Sequence, residues 1–384
     1  MALADNDPSD AAPTFGVDSG LRLFNGDNLT DLGEELGLNP EDERWESVMD
    51  QFTVAELTQL TLHGYVKVGA IPSAGKESQR ALDGPNQIGS FNAANCGTAF
   101  PNATVVAQTW STSLAYDFGL ALGAETRTLG LDGWYGPGVN LHRSPFGGRN
   151  YEYYSEDSVL TGKMAASAIK GAKNQGVYCF LKHLICYEQE SMRDSIYTWL
   201  TEQALRQTYL KPFEICIKEG GANGVMTSYN RLGATWAGGH KDLIQGVLRD
   251  EWGFNGMVLT DYADHQNFMN GDQALRAGGD LWMDGWNNNG TYKFDTSSNT
   301  FKQQLRRAGK DVLFSCANAR ATQKNYDPSQ DNVNVVIGKK GAPKTWWITT
   351  LVIADAVVGV GLLTWAGLLI VPGLLKKKKQ TTSE

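Results

Sequence analysis

Five short stretches hold the residues whose types could do chemistry. Asp83 stands in "LDGP", Arg149 and Glu152 in "SPFGGRNYEYYSED", Lys182 and His183 in "CFLKHLICYEQE", Met226 and Tyr229 in "GVMTSYN", and Asp261 with Tyr262 in "GMVLTDY". The last is the most pointed, because an apolar run ends in a carboxylate where a turn residue would be expected. Carboxylates among a lysine, an arginine and a histidine can act as nucleophile or proton carrier, or can hold the hydroxyls of a polar ligand. Each residue also has a plainer role. Asp83 before Gly-Pro would cap a turn, Arg149 would pair with Glu152 or Glu156 on a surface loop, Lys182 and His183 would be an exposed lysine and a core histidine, and Asp261 would cap a helix. Their recurrence at the ends of apolar runs favours a shared site.

Such ends converge only if strands position them. Short apolar runs bounded by Gly or Asp predict strands over 81–83, 133–141, 177–185, 224–229, 256–261 and 275–283, and helical spacing predicts helices over 201–217, 241–252 and 301–319. Alternating strand and helix units predict an α/β chain, a TIM-like (β/α) barrel over 45–325, whose active site would lie at the C-terminal strand ends. Residues 1–44 are polar and acidic, read as a linker-like segment, and lack the basic start and apolar core of a secretory signal.

Composition narrows the function classes. The 384 residues carry a formal charge of -8, which leaves no broad basic face for nucleic acid. The five cysteines show no CxxC spacing and the five histidines no HxxxH or HxH pattern, so neither a disulfide framework nor a metal site is expected. No cofactor is expected either.

A linker over 326–345 leads to an apolar segment over 346–375 whose single charge is Asp355, expected to be a transmembrane helix. Trp346 and Trp347 would mark one interface, and the lysines at 376–379, in a short basic tail over 376–384, the cytoplasmic side. The preceding domain is then expected outside the cell membrane. Without a secretory signal to carry it there, a longer parent design is expected.

In their order, "LDGP", "FPNATVVAQTW", "GPGVNLHRSPFGGRNYEYYSED", "LKH", "LRQTYLKPFE", "GVMTSYN" and "GFNGMVLTDY" give a chain that resembles the barrel domain of glycoside hydrolase family 3, the family of many β-glucosidases, from Trp45 to about Ala321. The resemblance implies that Asp261 is the nucleophile of a retaining hydrolase. It implies that Asp83, Arg149, Lys182 and His183 hold the hydroxyls of the first-subsite sugar, that Met226 and Tyr229 line the pocket, and that Tyr262 stands where the family usually has tryptophan. The substrate would be an oligosaccharide or glycoside. Cations such as Lys182 and Arg149 are expected to hold the pKa of Asp261 down.

The sequence also departs from the family pattern. "DGPNQIGSFN" lacks the arginine that usually follows "DGP". Retaining chemistry needs a second carboxylic acid about 5 Å from the nucleophile, and in most two-domain members it comes from an α/β sandwich domain. Here the loop "LICYEQESMRD" offers Glu188 and Glu190, and Asp264 with His265 form another pair. Some relatives place the sandwich first, the barrel second and a membrane anchor last, so a sandwich partner upstream or in trans is expected. The leading expectation is a membrane-anchored retaining glycosidase. The alternative is a membrane-anchored carbohydrate-binding protein built on a degenerate, acid-less barrel.

Overall fold

Six short strands form one sheet in chain order: β1 (Lys67–Val68), β2 (Gln79–Asp83), β3 (Gly133–Tyr135), β4 (Tyr178–Leu184), β5 (Gly224–Thr227) and β6 (Met257–Leu259). β1 runs antiparallel to β2, and the remaining pairs are parallel. The computed structural model describes residues 6–89, 97–263, 268–284, 294–324 and 346–380. Its two units are Met1–Val335 and Val336–Glu384.

Parallel neighbours need crossovers, and helices supply them. Helix α1 (Thr112–Thr128) lies between β2 and β3, α2 (Ser158–Lys173) between β3 and β4, and α3 (Lys211–Lys218) between β4 and β5. Between β5 and β6 the chain forms a π-helix over Asp242–Glu251, and a π turn at Leu205–Tyr209 leads into α3, so the predicted helices at 201–217 and 241–252 are helical but locally wider than α. Helices α1 and α2 touch through glycines: a Cβ on Gly119 would stand 1.9 Å from the Ala168 carbonyl oxygen, and one on Gly171 2.3 Å from that of Tyr116.

Successive strand residues face opposite ways. Ala81, Tyr135, Phe180, Met226, Met257 and Leu259 share one buried cluster, while Leu82, Trp134, Leu181, Val225 and Val258 share another with the crossover helices. Asp83, Lys182 and Asp261 each fall two residues beyond a member of the first cluster, Ala81, Phe180 and Leu259. Strand parity thus aims all three toward the same inner side.

The inner face is covered by α4 (Asn299–Lys324), through Phe301, Leu305 and Val312, and by Leu23, Phe24, Leu36, Trp45 and Phe52. Part of the stretch read as a linker therefore belongs to the core. Residues 31–38 form a helix capped by Thr30, whose hydroxyl oxygen accepts from the Gly33 N–H. Leu23, Phe24 and Leu36 are deeply buried, which average composition concealed.

The predicted strand over 275–283 is not formed. The chain there finishes a helix, Gly271–Arg276, turns through Gly278 at φ +108°, and makes a single parallel bridge between Leu281 and Leu259. Among the described residues the sheet stays open as a half-barrel rather than closing into the expected TIM-like ring. Beyond the β6 edge, Arg249 reaches Asp280 at 2.8 Å and Asp311 at 3.0 Å, and Arg307 reaches the same carboxylates at 2.6 and 2.7 Å. Two cations against two anions satisfy the condition for burying such groups. Cys179, Cys186, Cys216 and Cys316 are buried and unpaired.

The second unit contains helix α5 (Trp346–Gln380), in which the 22 residues Thr349–Ile370 are long and apolar enough to cross a membrane. At 1.5 Å per residue they span about 33 Å, against a hydrocarbon thickness of about 30 Å. The linker at 326–345 lies outside the described residues, as do residues 381–384 and the side chains of Trp346, Trp347 and the lysines at 376–379.

Candidate active site

Asp83 ends β2 at a turn only glycine can make: Gly84 has φ +125°, and a Cβ there would lie 1.6 Å from the Gln87 carbonyl oxygen. The Gly84 N–H donates to Asp83 Oδ1 at 2.8 Å, as a turn-capping aspartate would have it. The same oxygen lies 2.6 Å from Lys182 Nζ. Lys182 also reaches Glu152 Oε1 at 3.0 Å, and the other oxygen of Glu152 accepts from Arg149 Nε at 2.5 Å. Arg149 continues to Glu190 at 3.6 Å, and Glu190 to Arg193 at 3.1 Å. The result is a row of alternating charges across two strand ends and two loops.

The end of β4 leaves the ladder. Its register with β5 shifts between Leu181 and Leu184, which frees Lys182 and His183 from regular pairing on that side, while Lys182 keeps a parallel bridge to Gly138 on the other. Buried backbone groups still need partners. Asn140 supplies them, accepting from the His183 N–H at 2.8 Å and donating to its carbonyl at 3.1 Å. Ser228 does the same for Ile185, at 3.0 and 3.1 Å. His183 Nε2 comes to 3.9 Å from Asp261 Oδ2, and the Tyr153 hydroxyl lies 3.5 Å from Nδ1. Burial, reinforced by the charges of Arg149 and Lys182, keeps the imidazole neutral, far below its ordinary pKa. It is a hydrogen-bonding group here rather than a cation.

Asp261 is buried at the end of β6. Its Oδ1 accepts the Tyr262 N–H at 2.8 Å, whereas buried Oδ2 has no hydrogen-bond partner among the described residues. Burial pushes its carboxyl up to about 6, against the lowering pull of Arg149, the Tyr262 N–H, Arg193 and Lys182. The expected depression is thus reversed, because Arg149 and Lys182 are already engaged by Glu152 and Asp83. For Asp83 and Glu152 the balance is opposite: burial is the largest influence and raises both, but Lys182 and Arg149, joined at Asp83 by the Gly84 N–H, together hold each below the usual carboxylate range.

Residues 84–302 match the family described as "Glycosyl hydrolase family 3 N terminal domain", a stretch holding all of these groups except Asp83. The chain belongs to glycosyl hydrolase family 3. Beta-glucosidase B of Emericella nidulans is 39% identical over 243 residues, 62% of this chain and 28% of that protein. A beta-glucosidase of Rhizobium radiobacter is 36% identical over 251 residues, 64% of this chain and 30% of that one. Among solved structures, beta-glucosidase 3B from Thermotoga neapolitana in complex with glucose shares 30% identity at a TM-score of 0.63, over 75% of this chain and 45% of its own. The chain therefore spans under a third of these curated relatives and under half of the solved one.

Within this family 3 site, most of the residues picked out in the sequence sit together. Tyr229 lies under the Arg193 guanidinium, 4.6 Å from ring centroid to carbon. Met226 is buried on the inner sheet face, and the Tyr262 ring packs 5.3 Å from Tyr65. Arg193 and Tyr187 join them without a motif of their own. Arg193 donates to the Tyr187 hydroxyl at 2.9 Å, and the Tyr187 ring lies 4.9 Å from that of His183. Their one signal was membership of the loop after the Lys-His strand. Of the proton-donor candidates, Glu190 is held between Arg149 and Arg193. Glu188 is half-buried, with its Oε1 3.4 Å from both Asn140 Nδ2 and the Leu141 N–H, and loss of water around it pushes its carboxyl up to about 7. Asp264 and His265 lie outside the described residues.

Proposed function

We propose that this chain carries the sugar-binding half-barrel and the nucleophile of a retaining, β-glucosidase-like hydrolase acting on terminal residues of glycosides or oligosaccharides. Asp261 Oδ2 attacks the anomeric carbon as the bond to the leaving oxygen breaks, and that oxygen takes a proton from a general acid. The product is a glycosyl ester on Asp261. Water, deprotonated by the same group, then releases the sugar with retained configuration. Asp83, Lys182, His183 and Arg149 hold the sugar hydroxyls, while Glu152, between two cations, keeps Lys182 and Arg149 aimed and charged.

The observation that carries this reading is the unpartnered buried oxygen of Asp261, beside a cup of paired charges that can exchange partners with hydroxyls. The β-glucosidase names of the relatives support it. The proton donor is assigned to a segment beyond the family match, such as a sandwich domain upstream or in trans, consistent with the much greater length of the relatives. The stretch Thr349–Ile370 would anchor the chain in a membrane, with the lysine tail cytoplasmic and the half-barrel outside.

An activated 2-deoxy-2-fluoro-β-glucoside with a dinitrophenolate leaving group tests the nucleophile, since that group departs without protonation. The wild-type chain should release one phenolate per site and gain one fluoroglucosyl unit on the peptide containing Asp261, and Asp261→Asn should gain none. An unlabelled wild type, or a label on another residue, would refute the assignment.

A further inference from the structure

Asn140 continues a β ladder with its side chain. The Lys182 N–H donates to the Pro137 carbonyl at 3.0 Å, and the Val139 N–H donates to the Lys182 carbonyl at 2.8 Å. At the next residue, His183, the partner is no longer backbone but the buried Asn140 carboxamide, whose oxygen accepts at 2.8 Å and whose nitrogen donates at 3.1 Å. A carboxamide can do this because it presents one acceptor and a donor much as a peptide group does.

The clamp works in one orientation only. Turned over, the amide would set donor against donor at the His183 N–H and acceptor against acceptor at its carbonyl. In the working orientation Nδ2 has a second hydrogen, which needs its own acceptor where water is excluded. Glu188 Oε1 stands 3.4 Å from Nδ2 and also accepts from the Leu141 N–H at 3.4 Å. The other groups facing Glu188 are Arg143, Tyr153, Tyr209 and Cys186. Arg143 is the only cation in that set, and its guanidinium lies over the Tyr209 ring, 5.6 Å from the centroid. Among the described residues the hydrogen bonds to Glu188 come from Asn140 and Leu141.

We propose that Glu188 is a positioning residue: by holding the Asn140 carboxamide the right way round, it fixes the His183 peptide and with it the imidazole that meets the sugar. The assignment rests on the glycosidase reading above and adds a residue that works through another. The role demands an acceptor oxygen rather than a charge. Loss of water pushes the Glu188 carboxyl up to about 7, so charged and neutral forms coexist near neutral pH, and both keep an oxygen that can accept. Glutamine can therefore fill this role, although it could not serve as a proton donor to a leaving group.

Calorimetric titration of the full chain with hydrolysis-resistant methyl 1-thio-β-D-glucopyranoside tests the proposal. Glu188→Ala should bind about two- to twelvefold more weakly than wild type, the equivalent of one hydrogen bond, and Glu188→Gln should recover to within about twofold. Asn140→Asp, which replaces both amide donors by acceptors, should lose at least as much as Glu188→Ala. In labelling by the fluoroglucoside, the Glu188→Ala loss should appear in the concentration giving half-maximal rate rather than in the rate at saturation, because His183 holds a hydroxyl and not the reacting carbon. Glu188→Ala binding like wild type, Glu188→Gln binding as weakly as Glu188→Ala, or a loss confined to the saturated rate would overturn the positioning role alone. If the wild-type chain does not bind the thioglucoside, the glycosidase reading falls and this inference falls with it.

Discussion

Replacing Asp261 by Asn should stabilise the fold while abolishing nucleophilic chemistry. The carboxyl titrates at about 6 in the folded chain against an ordinary 3.8, because burial strips water from its charged form. A gap of about two units, at 1.36 kcal/mol each, makes the ionised group cost roughly 3 kcal/mol of stability at neutral pH. The sign follows from proton counts. Between pH 3.8 and 6 the folded chain keeps a proton that the unfolded chain has shed, so stability falls as pH rises through that window and the full cost is present above it. Asparagine has the same shape, still accepts the Tyr262 N–H, and carries no charge. Urea unfolding followed by fluorescence of the 11 tryptophans should show the variant more stable by up to about 3 kcal/mol at pH 7.5, with the gain reduced to about 1 kcal/mol at pH 4.5. A variant less stable than the parent at pH 7.5, or a gain that does not change with pH, would refute the reasoning, because the two side chains share a shape and the pH-dependent difference between them is the buried charge.

The same titration sets the acid limb of the chemistry: labelling by the fluoroglucoside should slow about tenfold from pH 7 to pH 5 as Asp261 takes up its proton, and a flat profile would contradict its burial. Glu152→Gln should cost about 3–5 kcal/mol in the same unfolding assay, because it leaves Lys182 and Arg149 buried with one carboxylate fewer; a loss under about 1 kcal/mol would show that the pairs are not the main constraint there. Asp280→Ala should cost a similar roughly 3–5 kcal/mol by stranding Arg249 and Arg307, with unchanged labelling of Asp261 as the sign that the effect is confined to the ion pairs beyond the β6 edge.

The strand ends were legible in the sequence because parity acts locally. Where an apolar run of two or three residues ends in a charged group, as at Asp83 and Asp261, the side of the sheet that receives that group is already decided. Nothing local announces Arg193, Tyr187 or Tyr65. They come from loops, and their places depend on contacts with Tyr229, His183 and Tyr262 far along the chain. The misread segments have the same origin. Residues 275–283 have the composition of a strand but contain a glycine turn and one bridge, and the few apolar residues within 1–44 matter because α4 and the inner sheet face receive them. The pKa of Asp261 is not legible in the same way, because a sequence shows which cations are nearby but not which anions already hold them.

That last point explains how one site can contain carboxylates of different character. Asp83 and Glu152 are bound to Lys182 and Arg149, and those pairs hold them ionised. With Lys182 and Arg149 so occupied, Asp261 receives their field and that of Arg193 from a distance, one backbone N–H, and a neutral histidine 3.9 Å away. A nucleophile bonded directly to Lys182 would be more fully ionised at low pH, but its lone pairs would be tied to the ammonium and its attack slowed. Leaving Oδ2 unpartnered costs stability and keeps the oxygen available to carbon, so the neutralising carboxylates on β2 and on the loop after β3 contribute to the reactivity of a residue that they do not touch.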